Sequence, residues 1–199
     1  MTVTASQAHL FDDVRLPEGM RYQEEVISIG EEEVLWSFIA ALPLKPFEFV
    51  GGLQGNRRVV SFGRRYDFNT HKVQQADDMP STLRDLREKA ASFAGLPPDS
   101  LQQALVTEYA PGAGIGWHKD RAVFGEVIGI SLLAPCNFRL RRKVGANKWE
   151  RISFMVGPRS AYLLSGVGRT EWEHSIPPLD KLRYSVTFRN FRFPSRPHR

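Results

Sequence analysis

The segment Leu182-Arg183-Tyr184-Ser185-Val186-Thr187-Phe188-Arg189-Asn190-Phe191 decides the architecture. Leu182, Tyr184, Val186 and Phe188 alternate with Arg183, Ser185, Thr187 and Arg189, the period-two pattern of a strand with one apolar face and one face carrying two arginines. Working back toward the N-terminus, β-rich stretches occur at 160–164, 149–155, 137–142, 127–133 and 101–109. Turns rich in Gly, Pro and Asn separate them, such as Pro111-Gly112-Ala113-Gly114 and Gly145-Ala146-Asn147. Many short strands without intervening helices predict an antiparallel double sheet or barrel.

Upstream the period changes. Residues 31–42 are predicted as a helix with an acidic first turn, a stripe of Val34, Leu35, Phe38 and Leu42, and Pro43 as its stop. Residues 81–94 are predicted as a second helix, N-capped by Ser81, with Leu83, Leu86, Ala90 and Phe93 at helical spacing and Gly95, Pro97 and Pro98 ending it. The fold class is therefore α+β, mainly β, with helices first and a β-sandwich after them.

Composition narrows the function. At 42% hydrophobic and 25% charged, the 199 residues are those of an ordinary folded domain, not a disordered or fibrous chain. No apolar run approaches the roughly 18 residues of a membrane span, so no membrane partner is expected. Residues 1–16 carry polar and acidic groups where a signal peptide needs an apolar core. One cysteine, Cys136, excludes an internal disulfide and a cysteine-built zinc site, and the expected compartment is the reducing cytosol. The net charge of +5 permits a nucleic-acid partner without requiring it. Basic residues cluster at Arg139, Arg141, Arg142 and Lys143 and again after Asp180. Such a cluster is ordinarily a solvated face.

The chain has five histidines. His118 and Asp120, two residues apart in Ile115-Gly116-Trp117-His118-Lys119-Asp120, share one face of an extended segment. They supply two thirds of a facial metal triad, and His174 is the natural third ligand. Two histidines and a carboxylate leave open positions for a cosubstrate and oxygen on Fe(II); zinc would also accept the set. The competing reading has His118 bonded locally and His174 on the surface. The last strand favours the metal. Arg183 and Arg189 lie about 20 Å apart along a flat strand, and twist and long side chains bring their forks closer to the span of a short dicarboxylate. That points to 2-oxoglutarate. The alternative is an edge strand with solvated arginines.

Taken in order, Tyr109-Ala110-Pro111-Gly112-Ala113, Ile115-x-Trp117-His118-x-Asp120, His174-Ser175-Ile176 and Arg183-Tyr184-Ser185-Val186-Thr187-Phe188-Arg189 resemble the AlkB family of Fe(II)- and 2-oxoglutarate-dependent dioxygenases. The resemblance covers about the last hundred residues well, and 57–80 more loosely. It implies a double-stranded β-helix, or jelly roll, in a single domain over 1–199, with a helical and nucleotide-lid region at 1–100 and the jelly-roll core at 101–193. It implies iron held by His118, Asp120 and His174. Arg183, helped by Tyr109, would take the distal carboxylate of 2-oxoglutarate, and Arg189 would sit near its metal-chelating end. Thr107 and Ser185 would line that pocket, where some members carry Asn. The implied reaction is oxidative demethylation of alkylated bases of the 1-methyladenine and 3-methylcytosine type in single-stranded DNA or RNA by a monomer. It consumes molecular oxygen and releases formaldehyde, succinate and carbon dioxide. In the lid, Tyr66 and Phe68 would stack on a flipped base, and Arg64 and Arg65 would meet phosphate. The competing reading makes that segment a strand with core aromatics. Ala122 stands where well-known bacterial members carry an Asp that touches the base, and an acid near Glu126 is the candidate replacement. Trp117, Trp172 and Cys136 are expected to fill the jelly roll. Two other functions compete: the same iron chemistry on a protein side chain or small molecule, and a non-catalytic jelly-roll binding module.

Overall fold

The computed structural model describes residues 15–48, 52–67 and 69–192. In chain order the elements are β1 (Met20–Gln23), α1 (Ile29–Ala40), β2 (Lys45–Glu48), β3 (Gln54–Asp67), β4 (Lys72–Gln75), α2 (Ser81–Ala94) and β5 (Gln103–Tyr109). They continue with β6 (Ile115–His118), β7 (Phe124–Leu132), β8 (Cys136–Lys143), β9 (Trp149–Val156), β10 (Ala161–Leu164), α3 (Gly166–Thr170), β11 (Glu173–Ile176) and β12 (Arg183–Phe191).

The strands form two antiparallel sheets. The major sheet runs β1-β10-β7-β12-β5-β3-β2, with β4 paired to β3; the minor sheet runs β6-β11-β8-β9. This is the jelly-roll arrangement. β12 is an interior strand, flanked by β5 and β7 over nearly its whole length, which removes the edge-strand alternative. The sheet also takes strands from ahead of residue 101. β3 pairs with β5 from Arg57 to Gly63, and β1 covers β10.

Register sorts side chains onto two faces. On one face Val106, Ile130, Val186, Ala104, Ile128 and Phe188 are fully buried against Leu35 and Ile39 of α1 and Leu83, Leu86 and Ala90 of α2. Burying each large aliphatic of that set contributes about 1.5–3 kcal/mol. The other face looks toward the minor sheet and is mostly polar, which is where the site lies.

Helix α1 begins at Ile29 with a capping box. Ser28 Oγ accepts from Glu31 N at 3.2 Å, and Ser28 N donates to Glu31 Oε2 at 2.8 Å. Its buried side is Glu32, Leu35 and Ile39; Val34, expected in the stripe, is 62% exposed. Glu32 explains the rotation. Its carboxylate accepts from Leu133 N at 2.8 Å and from Arg159 at 3.2 Å, pinning the helix to the sheet. Helix α2 has the expected bounds, but Pro80 occupies the N-cap and Ser81 lies inside, so Ser81 is not the cap. Gly95 closes the helix in the left-handed conformation, as expected. Gly63 marks where the β3–β4 hairpin leaves the sheet. Its φ is 75°, and a Cβ there would run into the Gln102 carbonyl oxygen. Among the described residues no helix is long and apolar enough to cross a membrane.

Candidate active site

β6 and β11 are antiparallel neighbours in which His118 and His174 are direct Cα partners. Directly opposed residues share a face, so the two rings meet with centroids 4.2 Å apart. Asp120 follows just beyond the end of β6. One ligand atom from each of His118, Asp120 and His174 lies within 4.8 Å of the others. His118 Nδ1 sits 2.9 Å from the Gly116 carbonyl oxygen. A carbonyl only accepts, so Nδ1 carries the proton and Nε2 keeps its lone pair for a metal. The His174 ring is stacked on Phe138 at 5.4 Å, and its Nε2 lies 3.7 Å from Asp120 Oδ2. The other carboxylate oxygen, Oδ1, accepts from Arg189 Nη2 at 2.9 Å. One oxygen is thus held by the protein and the other faces the histidines.

The protonation states suit a metal. Burial, reinforced by His118, pushes His174 down to about 3, and burial also lowers His118. Burial alone would raise the Asp120 carboxyl, but Arg189 and both imidazoles outweigh it and hold the group well below the usual carboxylate range. Two neutral imidazoles and an ionised carboxylate are the donor set a divalent cation needs.

The polar face of the major sheet presents residues in rows. Arg57, Tyr109 and Arg183 are successive Cα partners across β3, β5 and β12. Two positions along, the row is Val59, Thr107, Ser185 and Ser131; the next is Ser61, Leu105, Thr187, Gly129 and Tyr162. Arg183 is wholly buried. Its Nε donates to Ser131 Oγ at 3.1 Å, and its guanidinium lies 5.0 Å from the Tyr109 ring centroid. Among the described residues neither Nη1 nor Nη2 has an acceptor. A buried guanidinium with two orphaned donors is costly unless a ligand supplies acceptors, and a carboxylate matches that fork. Thr107 and Ser185, both buried, face each other in the next row. The residues present therefore fit 2-oxoglutarate, and His118, Asp120 and His174 fit Fe(II). Arg189 also donates to Gln103 at 3.2 Å, so one of its visible tasks is to aim Asp120.

The lid residues are only partly brought in. Tyr66 is half-buried, its hydroxyl 3.1 Å from His71 Nδ1 and its ring edge-on to Phe124 at 6.1 Å. Phe124 in turn covers Arg189 at 4.8 Å. Tyr66 is thus one ring removed from the metal-holding network and is not a core residue. Arg65 is exposed and donates from Nε and Nη2 to its cross-strand neighbour Gln74; Arg64 is half-buried opposite Gln75. Phe68 lies outside the described residues.

The three arginines of the basic cluster on β8 are already partnered. Arg141 pairs with Glu173 at 2.6 Å, Arg142 with Glu150 at 2.8 Å and Glu171 at 3.0 Å, and Arg139 donates to Ser175. Trp172 and Cys136 are buried as expected. Trp117 does not fill the jelly roll. It points away from His118, under Arg141 at 4.5 Å and Arg139 at 5.2 Å, because successive strand residues face opposite sides. Glu126 does not replace the missing acid, since its carboxylate is taken by Asn190 Nδ2. Sequence reasoning missed Arg57, which lines the pocket. It also missed Arg169, buried, whose Nη2 holds the Arg121 and Phe124 carbonyls of the loop after Asp120. Both readings need cross-strand neighbours that are distant in the chain.

A jelly roll with two histidines and a carboxylate converging beside buried arginines defines the class of 2-oxoglutarate- and Fe(II)-dependent oxygenases. Residues 43–189 match the 2OG-Fe(II) oxygenase superfamily, and the chain belongs to it. Within it the sequence is AlkB-like. It is 27% identical over 199 aligned residues to the alkylated DNA repair protein ALKBH8 homolog of Arabidopsis thaliana, covering 87% of this chain and 56% of that protein. It is 25% identical to the alpha-ketoglutarate-dependent dioxygenase AlkB of Escherichia coli K12, covering 56% of this chain and 55% of that one. The chain thus spans just over half the length of these relatives. The solved structure of OsALKBH1 shares the fold, with a TM-score of 0.62 at 16% identity, covering 88% of this chain and 98% of that one.

Proposed function

We propose that this chain is a dioxygenase that demethylates alkylated bases in nucleic acid. The observation that carries the chemistry is the convergence of the His118, Asp120 and His174 ligand atoms within 4.8 Å beside the unpartnered Arg183 fork. Fe(II) bound there with 2-oxoglutarate supplies a two-electron oxidation of a C–H bond. The balance is one N-methyl base, one oxygen molecule and one 2-oxoglutarate giving the N–H base, formaldehyde, succinate and carbon dioxide. The chain's own residues prepare that step. Gly116 fixes the His118 tautomer, Phe138 the plane of His174 and Arg189 the direction of Asp120. Arg183 and Tyr109 hold the cosubstrate, and Leu105, Val127, Ile115 and Ile176 line the pocket with apolar surface that excludes water.

Support for a nucleic-acid substrate comes from the AlkB-like sequence, from the names borne by the relatives, and from the Tyr66 hairpin that adjoins the pocket through Phe124. The test measures succinate and formaldehyde release with a panel of methylated single-stranded oligonucleotides, with and without iron. Iron-dependent formaldehyde release from a methylated strand is expected. Healthy uncoupled 2-oxoglutarate turnover with no demethylation of any strand would overturn the substrate reading and leave the protein or small-molecule alternative.

A further inference from the structure

Tyr162 has no task in the chemistry described so far, yet its phenol is built into the pocket. It is the direct Cα partner of Gly129 across β10 and β7, is 7% exposed, and lines the same cavity as the three ligand residues. Gly129 lets the ring lie there. A Cβ at that position would run into the ring and the hydroxyl oxygen of Tyr162. The missing side chain on β7 is thus the space that the phenol occupies, and it carries the hydroxyl from β10 over β7. Phe138 packs against the same ring with centroids 4.8 Å apart, and Phe138 is also the residue stacked on His174. The phenol therefore stands in the layer between the two sheets.

Among the described residues the Tyr162 hydroxyl has no hydrogen-bond partner, and neither has that of Tyr109. The titratable groups that bear on the Tyr162 phenol are Tyr109, Arg183, Asp120 and Cys136. Burial, reinforced by Tyr109, pushes the phenol up, so it stays a proton donor. Asp120 is the one carboxylate in that set, and it is already taken: Oδ1 is on Arg189 and Oδ2 faces the histidines. What remains is two phenols and the two open donors of the Arg183 fork, with no protein acceptor among them. Buried donors gathered without an acceptor call for an anion, and a carboxylate has lone pairs enough for all of them. We infer that Tyr162 is a further cosubstrate-binding residue, whose hydroxyl, seated by Gly129, donates to the distal carboxylate of 2-oxoglutarate beside Tyr109 and Arg183. This rests on the 2-oxoglutarate reading of the Arg183 pocket and is independent of the nucleic-acid substrate. The competing role is a ring that only fills space, for which phenylalanine would serve as well.

The test loads the full chain with Mn(II) in place of Fe(II), so that nothing turns over, and titrates it calorimetrically with two acids. One is 2-oxoglutarate. The other is 2-oxopentanoate, which keeps the metal-chelating end and the carbon chain but ends in a methyl group. Tyr162→Phe is expected to weaken 2-oxoglutarate roughly ten- to hundredfold while leaving 2-oxopentanoate within about twofold of wild type. The melting temperature of the unloaded variant should be unchanged or raised, since the change deletes a buried hydroxyl that has no partner. Gly129→Ala should displace the ring and weaken 2-oxoglutarate by a similar factor. Adding Tyr162→Phe to it should cost little more, because the hydroxyl is already out of reach. Unchanged 2-oxoglutarate affinity in Tyr162→Phe overturns the proposal. Equal weakening of both acids also overturns it, by making the ring a support of the metal-binding end. Losses that simply add in the double variant overturn it too, since the glycine would then not seat the hydroxyl. In all three cases wild type still binds 2-oxoglutarate. A wild type that does not respond to 2-oxoglutarate removes the cosubstrate reading and this inference together.

Discussion

Replacing Arg183 by methionine should make the ligand-free protein more stable and blind to 2-oxoglutarate. The guanidinium is fully buried, with two donors lacking acceptors and one hydrogen bond to Ser131. Exchanging a buried ion for an apolar side chain of similar volume is neutral or stabilising by about 1–4 kcal/mol. The lost Ser131 bond returns about 1 kcal/mol of that. A net gain of about 0–3 kcal/mol raises the melting temperature of a domain of this size by up to roughly 12 °C. Ligand response moves the other way. In wild type, 2-oxoglutarate at a hundred times its Kd, with Mn(II) in place of iron to prevent turnover, adds about 2.7 kcal/mol. Breaking a buried charge pair costs about 3–5 kcal/mol, a loss of two to three and a half orders of magnitude in affinity, so the variant should show no shift at that concentration. Differential scanning fluorimetry with and without the cosubstrate reads both quantities. A variant that melts below wild type without ligand, or that keeps the wild-type ligand shift, refutes the reasoning. Arg183→Lys should restore the response only in part, because a point charge does not reproduce the fork.

His118→Ala, Asp120→Ala and His174→Ala should each abolish 2-oxoglutarate decarboxylation and metal retention; near-normal turnover in any of them removes that residue from the ligand set. Gly63→Ala should cost about 1–3 kcal/mol, roughly 2–12 °C in the melt, since it strains a positive φ and drives a methyl into the Gln102 carbonyl; an unchanged melt contradicts this. Tyr66→Ala should weaken oligonucleotide binding by about 1–3 kcal/mol and leave 2-oxoglutarate affinity alone, whereas loss of both would make the ring structural. Arg142→Ala should change oligonucleotide affinity by less than about threefold, because its charge is spent on Glu150 and Glu171; a larger loss would place phosphate on that face.

Features with a local signature were legible in the sequence. The alternation from Leu182 to Arg189 placed both arginines on the polar face, and the scarcity of histidine left His174 as the partner of His118-x-Asp120. Strand bounds at 101–109 and 149–155 were recovered to within two residues. What escaped were pairings between distant segments. Arg57 gains meaning only when β3 lies beside β5, and Glu32 only when Leu133 and Arg159 arrive at its helix. The cluster at Arg141 and Arg142 looked like free positive charge because Glu173 and Glu150 reach it through strand register, and Glu171 from the end of α3, rather than through helical spacing. Val34 was misplaced because a buried carboxylate, not hydrophobic periodicity, sets the roll of α1.

The three metal ligands belong to the minor sheet and the loop that leaves it, while the arginines stand on the major sheet. The Arg189–Asp120 bond spans the gap between them. A metal and cosubstrate held across that gap would act as a crosslink between layers. Anything that lets the sheets slide apart by even an ångström separates ligand from counter-ligand while leaving each sheet's own hydrogen bonds unbroken. Catalysis is thus a more sensitive gauge of interlayer register than circular dichroism, and the loaded enzyme should resist heat by a margin set by ligand concentration rather than by its hydrophobic core.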